Sequence, residues 1–219
     1  MNRAAETIFA LSSGPGRAAV GVIRLSGPKA AAALEALSGW PCPPPRRATL
    51  RRLADPESGE TLDRALVLYL PAPYSFTGED MVELQVHGGR AVITGVLEAL
   101  SRQAGLRPAE PGAFSRRAFD HGRLGLVEAE ALADLIEADT AVQRRQALRQ
   151  LGGELGRLYD GWRAAVIACQ AELEAELDFS DQDLPEGLAA AVEGRLRELV
   201  RSIAAHLSDQ RREIGRAHV

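Results

Sequence analysis

The chain has 219 residues, 46% of them hydrophobic and 26% charged, a composition typical of a globular protein with one large domain or two small ones. Its formal net charge of -4 gives no overall attraction to phosphate backbones, which argues against wholesale coating of nucleic acid but leaves a local arginine patch open. Cys42 and Cys169 are isolated and lack CxxC spacing, which argues against both a disulfide framework and a zinc site.

The N-terminus and the lengths of the apolar runs indicate the cellular location of the protein. The N-terminus has no basic-then-apolar signal pattern, and no apolar run reaches the length of a membrane span. We therefore expect a cytoplasmic protein with no membrane span.

The first two predicted strands enclose a glycine-containing turn. A β-rich run from Thr7 to Leu11 leads through this turn to a second strand from Val20 to Gly27. Both faces of the second strand are apolar except at Arg24, a pattern typical of a strand inside a covered sheet. A charge in such a place needs a partner or a ligand, so Arg24 is a candidate binding residue. The alternative is a strand-end arginine whose aliphatic stem carries the guanidinium to water.

Turn-forming residues separate the next predicted elements. These are a helix over 28–37, an extended proline-rich connector over 39–45, a weak strand over 49–53, a turn over 55–59 and a continuous apolar strand over 65–70. Arginine pairs at 46–47 and 51–52 flank the weak strand.

The stretch from Pro73 to Gly89 is the most informative part of the sequence. Apolar and polar residues alternate in it with the period of a strand; the apolar ones are Val82, Leu84 and Val86, and the polar ones are Glu83, Gln85 and His87. The polar face presents a carboxylate, an amide and an imidazole, and a carboxylate can accept two hydrogen bonds from an amino-pyrimidinone edge. The alternative is a half-buried strand whose polar face meets water. A double glycine ends the strand, and a helix is predicted over 92–104.

A third candidate follows a glycine turn. After a turn over 108–112, one or two helical turns are predicted from Phe114 to Phe119, ending at Gly122. Arg123 comes directly after this glycine and just before the helical half of the chain. An arginine at a domain junction can clamp a ligand, and it can equally be a surface residue.

The second half of the chain is predicted to be helical. No proline occurs between Leu124 and Pro185, and alanine, leucine, glutamate and arginine dominate. Apolar residues over 148–169 recur at spacings of three and four, which predicts one long helix packed in a bundle. The stretch 179–185 breaks this helix, and an apolar stripe over 188–207 predicts another. The predicted fold class is α+β, a mixed α/β domain followed by an all-α helical domain.

Several common chemistries find no support in the residues present. Lys29 is the only lysine and lies outside any glycine-rich loop, so the chain contains no P-loop for GTP or ATP. The four histidines are scattered without metal-ligand spacing, and no Gly-x-Ser-x-Gly elbow is present. The sequence therefore predicts no metal site and no catalytic residue.

Four stretches in series resemble one protein family. They are Gly14–Gly27, Ser75–Gly89, Pro111–Phe119 and Leu126–Ile136, and in this order they resemble the N-terminal region of the tRNA-modification GTPases of the MnmE/TrmE family. The resemblance implies an N-terminal α/β domain similar to tetrahydrofolate-dependent aminomethyltransferases. It further implies a helical domain into which the GTPase domain is inserted.

The resemblance also implies a function and partners. Members of the family homodimerise, bind a one-carbon folate and work with an FAD-dependent partner protein. Together they add an aminomethyl or carboxymethylaminomethyl group to C5 of the wobble uridine of tRNA. The implied cofactor is the 5-formyl or 5,10-methylene form of tetrahydrofolate, while GTP, Mg²⁺ and K⁺ would bind only through the GTPase domain.

The folate contacts of the family correspond to Arg24, Glu83 and Arg123. We expect Glu83 to bind the pterin edge and the two arginines to meet polar or anionic parts of the ligand. Arg123 stands where many members have lysine, which keeps the charge but changes its geometry. Ala113 replaces a usual glutamate and Gly125 a common aspartate, so the hydrogen bonding around this turn differs from the family pattern.

The resemblance divides the chain into regions. Residues 1–122 are expected to form the folate-binding and dimerisation domain, and residues 123–212 the first part of the helical domain. Residues 213–219 resemble the translation of a sequencing-adapter oligonucleotide, so a non-native tail is expected there; the alternative is a natural truncation. The GTPase domain would begin shortly after Arg212, so this chain alone is not expected to hydrolyse GTP.

Two further functions stay open. A free-standing folate-dependent aminomethyltransferase would need a general base, and only His87 is placed to offer one. A dimerisation scaffold without activity would dimerise and ignore folate.

Overall fold

A computed structural model of the chain describes residues 6–14, 16–178 and 188–214. The predicted helix break over 179–185 and most of the predicted tail, residues 215–219, lie outside the described residues. The strands are β1 (Thr7–Leu11), β2 (Val20–Ser26), β3 (Thr49–Ala54), β4 (Thr61–Leu70), β5 (Met81–His87) and β6 (Leu106–Pro108). The helices are α1 (Ala30–Ser38), α2 (Arg90–Ser101), α3 (Ala113–Asp120), α4 (Leu126–Glu137), α5 (Ala141–Leu151), α6 (Glu154–Asp178) and α7 (Leu188–Ile214).

The chain divides into two compact units, Met1–Ala129 and Glu130–Val219. The first unit contains a six-stranded sheet with the order β3-β4-β5-β2-β1-β6. Neighbouring strands pair antiparallel, except that β1 and β6 pair parallel. A mixed sheet with helices, followed by a helical unit, confirms the predicted α+β class.

The covered face of the sheet is the one on which α1 and α2 pack. Ile23 and Leu25 of β2 are buried there, together with Val82, Leu84 and Val86 of β5. These positions follow the period of two of a strand. The predicted apolar face of β5 is therefore confirmed.

The open face is the opposite side of the sheet. It is defined by Val20, Val22 and Arg24 of β2 and by their register partners His87, Gln85 and Glu83 of β5. The prediction that β2 lies in a sheet covered on both sides is wrong for the start of the strand, where Val20 is 51% exposed. Apolar residues on this face are thus exposed and could contact another molecule.

One strand has no counterpart in the sequence prediction. β6 has only three residues and ends in Pro108, and it pairs with β1 at the edge of the sheet. Proline is tolerated at a sheet edge because its missing N–H is not needed by a further strand. A run this short carries too little alternation to be recognised from the sequence.

The second unit corrects the prediction of one continuous helix over 148–169. Gly152 and Gly153 separate α5 from α6, and the φ of Gly153 is 76°, in the left-handed region that favours glycine. α5 begins with a capping box, in which Thr140 Oγ1 accepts from the Gln143 N–H at 3.2 Å and Gln143 Oε1 accepts from the Thr140 N–H at 2.9 Å. The apolar residues keep the same spacing before and after the two glycines, so the sequence pattern does not show that the helix ends there.

α6 and α7 pack against each other within the second unit. Cys169 of α6 and Val192 of α7 are buried, and Trp162 Nε1 donates to Ser202 Oγ at 3.1 Å. Among the described residues, no helix is both long and apolar enough to cross a membrane.

Gly88 lies where the end of β5 meets the residues before β2. Its N–H donates to Ala19 O at 3.2 Å, and a Cβ at this position would lie 2.3 Å from Ala18 O. The backbone would have to shift to admit that atom. We predict that Gly88→Ala lowers the free energy of unfolding by about 1–3 kcal/mol, measured by urea denaturation.

Gly89→Ala is the matched control. A Cβ on Gly89 would meet no atom within 4 Å, and its φ of -74° suits any residue. We expect this variant to change the free energy of unfolding by less than about 0.5 kcal/mol. Equal losses in the two variants would contradict the steric explanation.

Candidate functional site

Three rows of side chains cross the open face of the sheet, because residues directly opposite on paired strands share a face. The Glu83 row contains Leu68, Glu83, Arg24 and Ala10. The Leu66 row contains Leu50, Leu66, Gln85 and Val22. The Arg64 row contains the opposed pair Arg52 and Arg64 and the opposed pair His87 and Val20. The three rows are respectively charged at the centre, mostly apolar, and basic.

Arg24 and Glu83 form an ion pair on neighbouring strands. Arg24 Nε and Nη2 both donate to Glu83 Oε1, at 3.0 Å and 2.9 Å. The side chains are 28% and 18% exposed, so the pair is shielded but reachable from solvent. No other described residue hydrogen-bonds Arg24 Nη1 or Glu83 Oε2. Two of the three predicted site residues are thus brought together, with one donor group and one acceptor atom left over.

Two aromatic rings flank the Arg24 guanidinium. Its Cζ lies 5.7 Å from the centre of the Phe76 ring and 5.8 Å from the centre of the Phe114 ring. Cation–π contacts at these distances favour a fixed guanidinium. Phe76 comes from the loop between β4 and β5, and Phe114 from the first turn of α3. The motifs around both phenylalanines were visible in the sequence, but nothing in their local pattern pointed to Arg24.

A buried polar network ties that loop and α3 to β2. Arg117 Nη1 donates to Glu79 Oε2 at 2.7 Å, and Ser26 Oγ donates to the same oxygen at 2.6 Å. Thr77 Oγ1 lies 2.7 Å from Ser26 Oγ, and Thr77 and Ser26 are both fully buried. Polar groups this deep are stable only when they are paired. The network therefore fixes the loop that carries Phe76.

Arg123, the third predicted site residue, packs against the same loop. A Cβ built on Gly78 would meet Arg123 Cγ and His121 Cβ, each at 3.2 Å, so both side chains lie directly over this glycine. His121 Nδ1 also lies 2.7 Å from Thr77 O. Arg123 is exposed and forms no hydrogen bond with Arg24 or Glu83 in the described part of the chain. Its role in ligand binding stays a prediction.

His87 pairs with Asp63 at the far end of β5. The two atoms His87 Nδ1 and Asp63 Oδ1 are 2.7 Å apart, and the His87 N–H donates to Asp63 Oδ2 at 2.7 Å. Burial alone would raise the pKa of Asp63. Hydrogen bonds from the backbone and ring of His87 and from the backbone of Arg64 outweigh burial and hold this pKa below its ordinary value.

Comparison with known families identifies the class of protein to which this fold belongs. A mixed sheet carries a half-buried Arg–Glu pair beside aromatic rings, and a helical unit follows it in the chain. Residues 7–123 match the family model described as the GTP-binding protein TrmE N-terminus, and residues 126–216 match that of the MnmE helical domain. The chain therefore belongs to the MnmE/TrmE family.

Full-length relatives agree with this assignment. The tRNA modification GTPase MnmE of Parvibaculum lavamentivorans is 55% identical over 207 residues, which cover 94% of this chain and 47% of the relative. The mitochondrial 5-taurinomethyluridine-[tRNA] synthase subunit GTPB3 of Mus musculus is 56% identical over 209 residues, 94% of this chain and 42% of the relative. The chain spans about half the length of the curated relatives it matches, and it corresponds to their N-terminal part.

Asp63 makes a pH-dependent contribution to stability. Because its pKa is lower in the folded chain than in the unfolded chain, the contribution is fully present above the ordinary carboxyl pKa. It is lost as the pH falls through the folded-state pKa. We predict that Asp63→Asn lowers the melting temperature most at about pH 7 and that the difference from wild type narrows toward about pH 3. A difference that stays constant in calorimetry across this range would contradict the account.

Proposed function

We propose that this chain binds a one-carbon derivative of tetrahydrofolate at the Arg24–Glu83 pair. It would be the folate-binding and dimerising N-terminal part of a tRNA-modification GTPase. The single observation that carries the proposal is the ion pair between these two side chains, which are half-buried and keep unused hydrogen-bonding atoms.

The chemistry of the pair suits a pterin edge. Glu83 Oε1 already accepts two hydrogen bonds from Arg24, so Oε2 is free to accept from an N–H donor of an amino-pyrimidinone. Arg24 Nη1 can donate to the neighbouring carbonyl oxygen of the same ring. The pterin edge has both N–H donors and a carbonyl acceptor. A single acceptor group, or a single cation, would match only one of these two kinds of group.

The aromatic rings support the same assignment. Phe76 and Phe114 hold the Arg24 guanidinium and add apolar surface beside it. A flat heterocycle gains from such walls as well as from hydrogen bonds. Arg123, which packs against the loop that carries Phe76, would meet a polar or anionic part of the ligand.

The wider activity belongs to the full-length protein. Relatives of this chain are named as tRNA modification GTPases, and the chain itself has no lysine in a phosphate-binding loop. GTP hydrolysis with Mg²⁺ and K⁺ would therefore require a GTPase domain beyond these residues. With an FAD-dependent partner, the full-length protein would modify C5 of the wobble uridine of tRNA in the cytoplasm.

Dimerisation is supported by the open face of the sheet. Val20, Leu50 and Leu66 are 51%, 54% and 44% exposed, and all three lie on this face. Apolar residues grouped on one sheet face are typical of an interface. A second copy of the chain is the proposed occupant, so that a ligand at Glu83 would lie near the dimer interface.

A free-standing aminomethyltransferase is the second candidate function. The contact with Asp63 suits His87 as a base, because it can fix the ring tautomer and leave Nε2 exposed. His87 is, however, four residues from Glu83 on the same strand, which is about 13 Å. A base at that distance does not reach a one-carbon group held close to the pterin. This geometry favours the first function.

Titration with 5-formyltetrahydrofolate tests folate binding. We predict that the wild-type chain binds it and that Glu83→Ala and Arg24→Ala each weaken binding by about tenfold or more, because each removes charge-assisted hydrogen bonds. Isothermal calorimetry gives the affinities, and circular dichroism checks that each variant is folded.

Glu57→Ala is the control for loss of a carboxylate. Glu57 is 70% exposed and pairs with Arg102 away from the open face. We expect this variant to bind 5-formyltetrahydrofolate like the wild type. A folded wild-type chain that does not bind the compound overturns the proposal.

Sedimentation of the ligand-free chain tests dimerisation. We predict that Leu50→Glu raises the dimer dissociation constant by about tenfold or more, since it puts a charge into an apolar interface. Val142→Glu is the control, because Val142 is 64% exposed on α5 of the second unit. A monomeric wild type, or a Leu50→Glu variant that dimerises like the control, would count against the open face as the interface.

A further inference from the structure

The Arg64 row contains two like charges in direct opposition. Arg52 of β3 and Arg64 of β4 are register partners, and both are exposed. Like charges directly opposite each other destabilise a sheet. Neither arginine forms an ion pair within the described residues. The repulsion between the two guanidinium groups lowers the stability of the sheet, and an anionic ligand bound between them would remove this repulsion.

The adjacent carboxylate does not supply that anion. Asp63 precedes Arg64 in the chain, but its side chain is 8% exposed and both of its oxygens accept hydrogen bonds from His87. In the described part of the chain, Arg52 Nη1 donates only to a neutral hydroxyl, Thr61 Oγ1, at 2.9 Å. The two guanidinium groups thus keep most of their donors for a ligand.

The two arginines lie on the same face as the proposed pterin site, at a defined distance from it. Leu68 is the partner of Glu83, so Arg64 is four residues along β4 from the Glu83 row. Strand geometry puts Arg64 about 14 Å from Glu83 and Arg52 about 16 Å from it. Between them lies the Leu66 row, in which Leu66 is 44% exposed. The order along this path is polar, apolar and basic.

We propose that Arg52 and Arg64 bind the carboxylates of the glutamate tail of a folate, and in particular a γ-linked polyglutamate tail. This inference rests on the proposed function, because the pterin must sit at the Arg24–Glu83 pair for the tail to reach the Arg64 row. A folate has the same three parts in the same order: a hydrogen-bonding pterin, an aromatic ring and a polyanionic tail. The aromatic ring lies over Leu66, and the tail carboxylates take bidentate hydrogen bonds from the guanidinium groups.

The open face makes this route compatible with the proposed dimer. A folate lying along β4 would be enclosed between the sheets of the two copies. Enclosure strengthens an Arg–carboxylate contact, because water screens it less than at an exposed surface.

Paired ligands with and without a tail provide the test. The probes are 5-formyltetrahydropteroate, which has no glutamate, and 5-formyltetrahydrofolate pentaglutamate. For the wild-type chain we expect the pentaglutamate to bind about tenfold to a hundredfold more tightly than the pteroate. In Arg52→Gln/Arg64→Gln this ratio should fall below about threefold, while affinity for the pteroate stays at the wild-type value.

Arg90→Gln is the matched control for loss of positive charge. Arg90 is exposed and opens α2, which packs on the covered face of the sheet. This variant should keep the wild-type ratio. Thermal denaturation gives a second readout, since removing the opposed charges should raise the melting temperature of the double variant.

The outcomes separate the tail site from the proposed function. A wild type that binds both probes equally, or a double variant that keeps the wild-type ratio, overturns the tail site and leaves pterin binding standing. Binding of neither probe by the folded wild type overturns both. Transfer RNA is the competing ligand for these arginines. If the double variant loses binding to tRNA but keeps the preference for the pentaglutamate, the row is a nucleic-acid contact and the tail site is wrong.

Discussion

The antiparallel register between β2 and β5 is the constraint on which the candidate site depends. Arg24 and Glu83 are separated by 59 positions in the chain, and the register places them directly opposite each other. A slip of one residue would turn one of the two strands over and bring its charge to the covered face. The buried apolar residues that alternate with them oppose this slip. A charged side chain moved under α1 and α2 would lose its contact with water and find only apolar neighbours there.

The loop between β4 and β5 completes the candidate site around this pair. The largely shielded ion pair of Glu79 and Arg117 joins the loop to α3, and Ser26 joins it to β2. Phe76 and Phe114 are thereby held around the guanidinium from two separate segments. A guanidinium fixed before a ligand arrives loses little side-chain entropy on binding. At the candidate site the polar network would therefore support the proposed ligand binding although its members need not touch the ligand.

The open face combines properties that are usually found on separate surfaces. α1 and α2 pack on one face of the sheet, while α3 meets the other face at Arg24, and that second face carries a charged, an apolar and a basic row side by side. Antiparallel sheets tolerate such a face because it can be solvated or covered by another molecule. The spacing of the rows follows from the rise per residue of a strand, so the three kinds of side chain lie at fixed distances from one another along the face. An elongated ligand would have to match these distances.

The sequence by itself determined the local elements and two of the polar positions. The alternation in β5 and the single charge in β2 indicated Glu83 and Arg24, because a strand shows its two faces in its own period. The prediction of one continuous helix over 148–169 was wrong because it also relied on a local period. A period of apolar residues does not reveal the left-handed turn at Gly153. Only the tertiary structure decided which face is covered, which rings flank Arg24 and that Arg52 lies opposite Arg64. The first two features depend on contacts between segments remote in the chain, and the third depends on the register of β3 with β4, which no local pattern encodes.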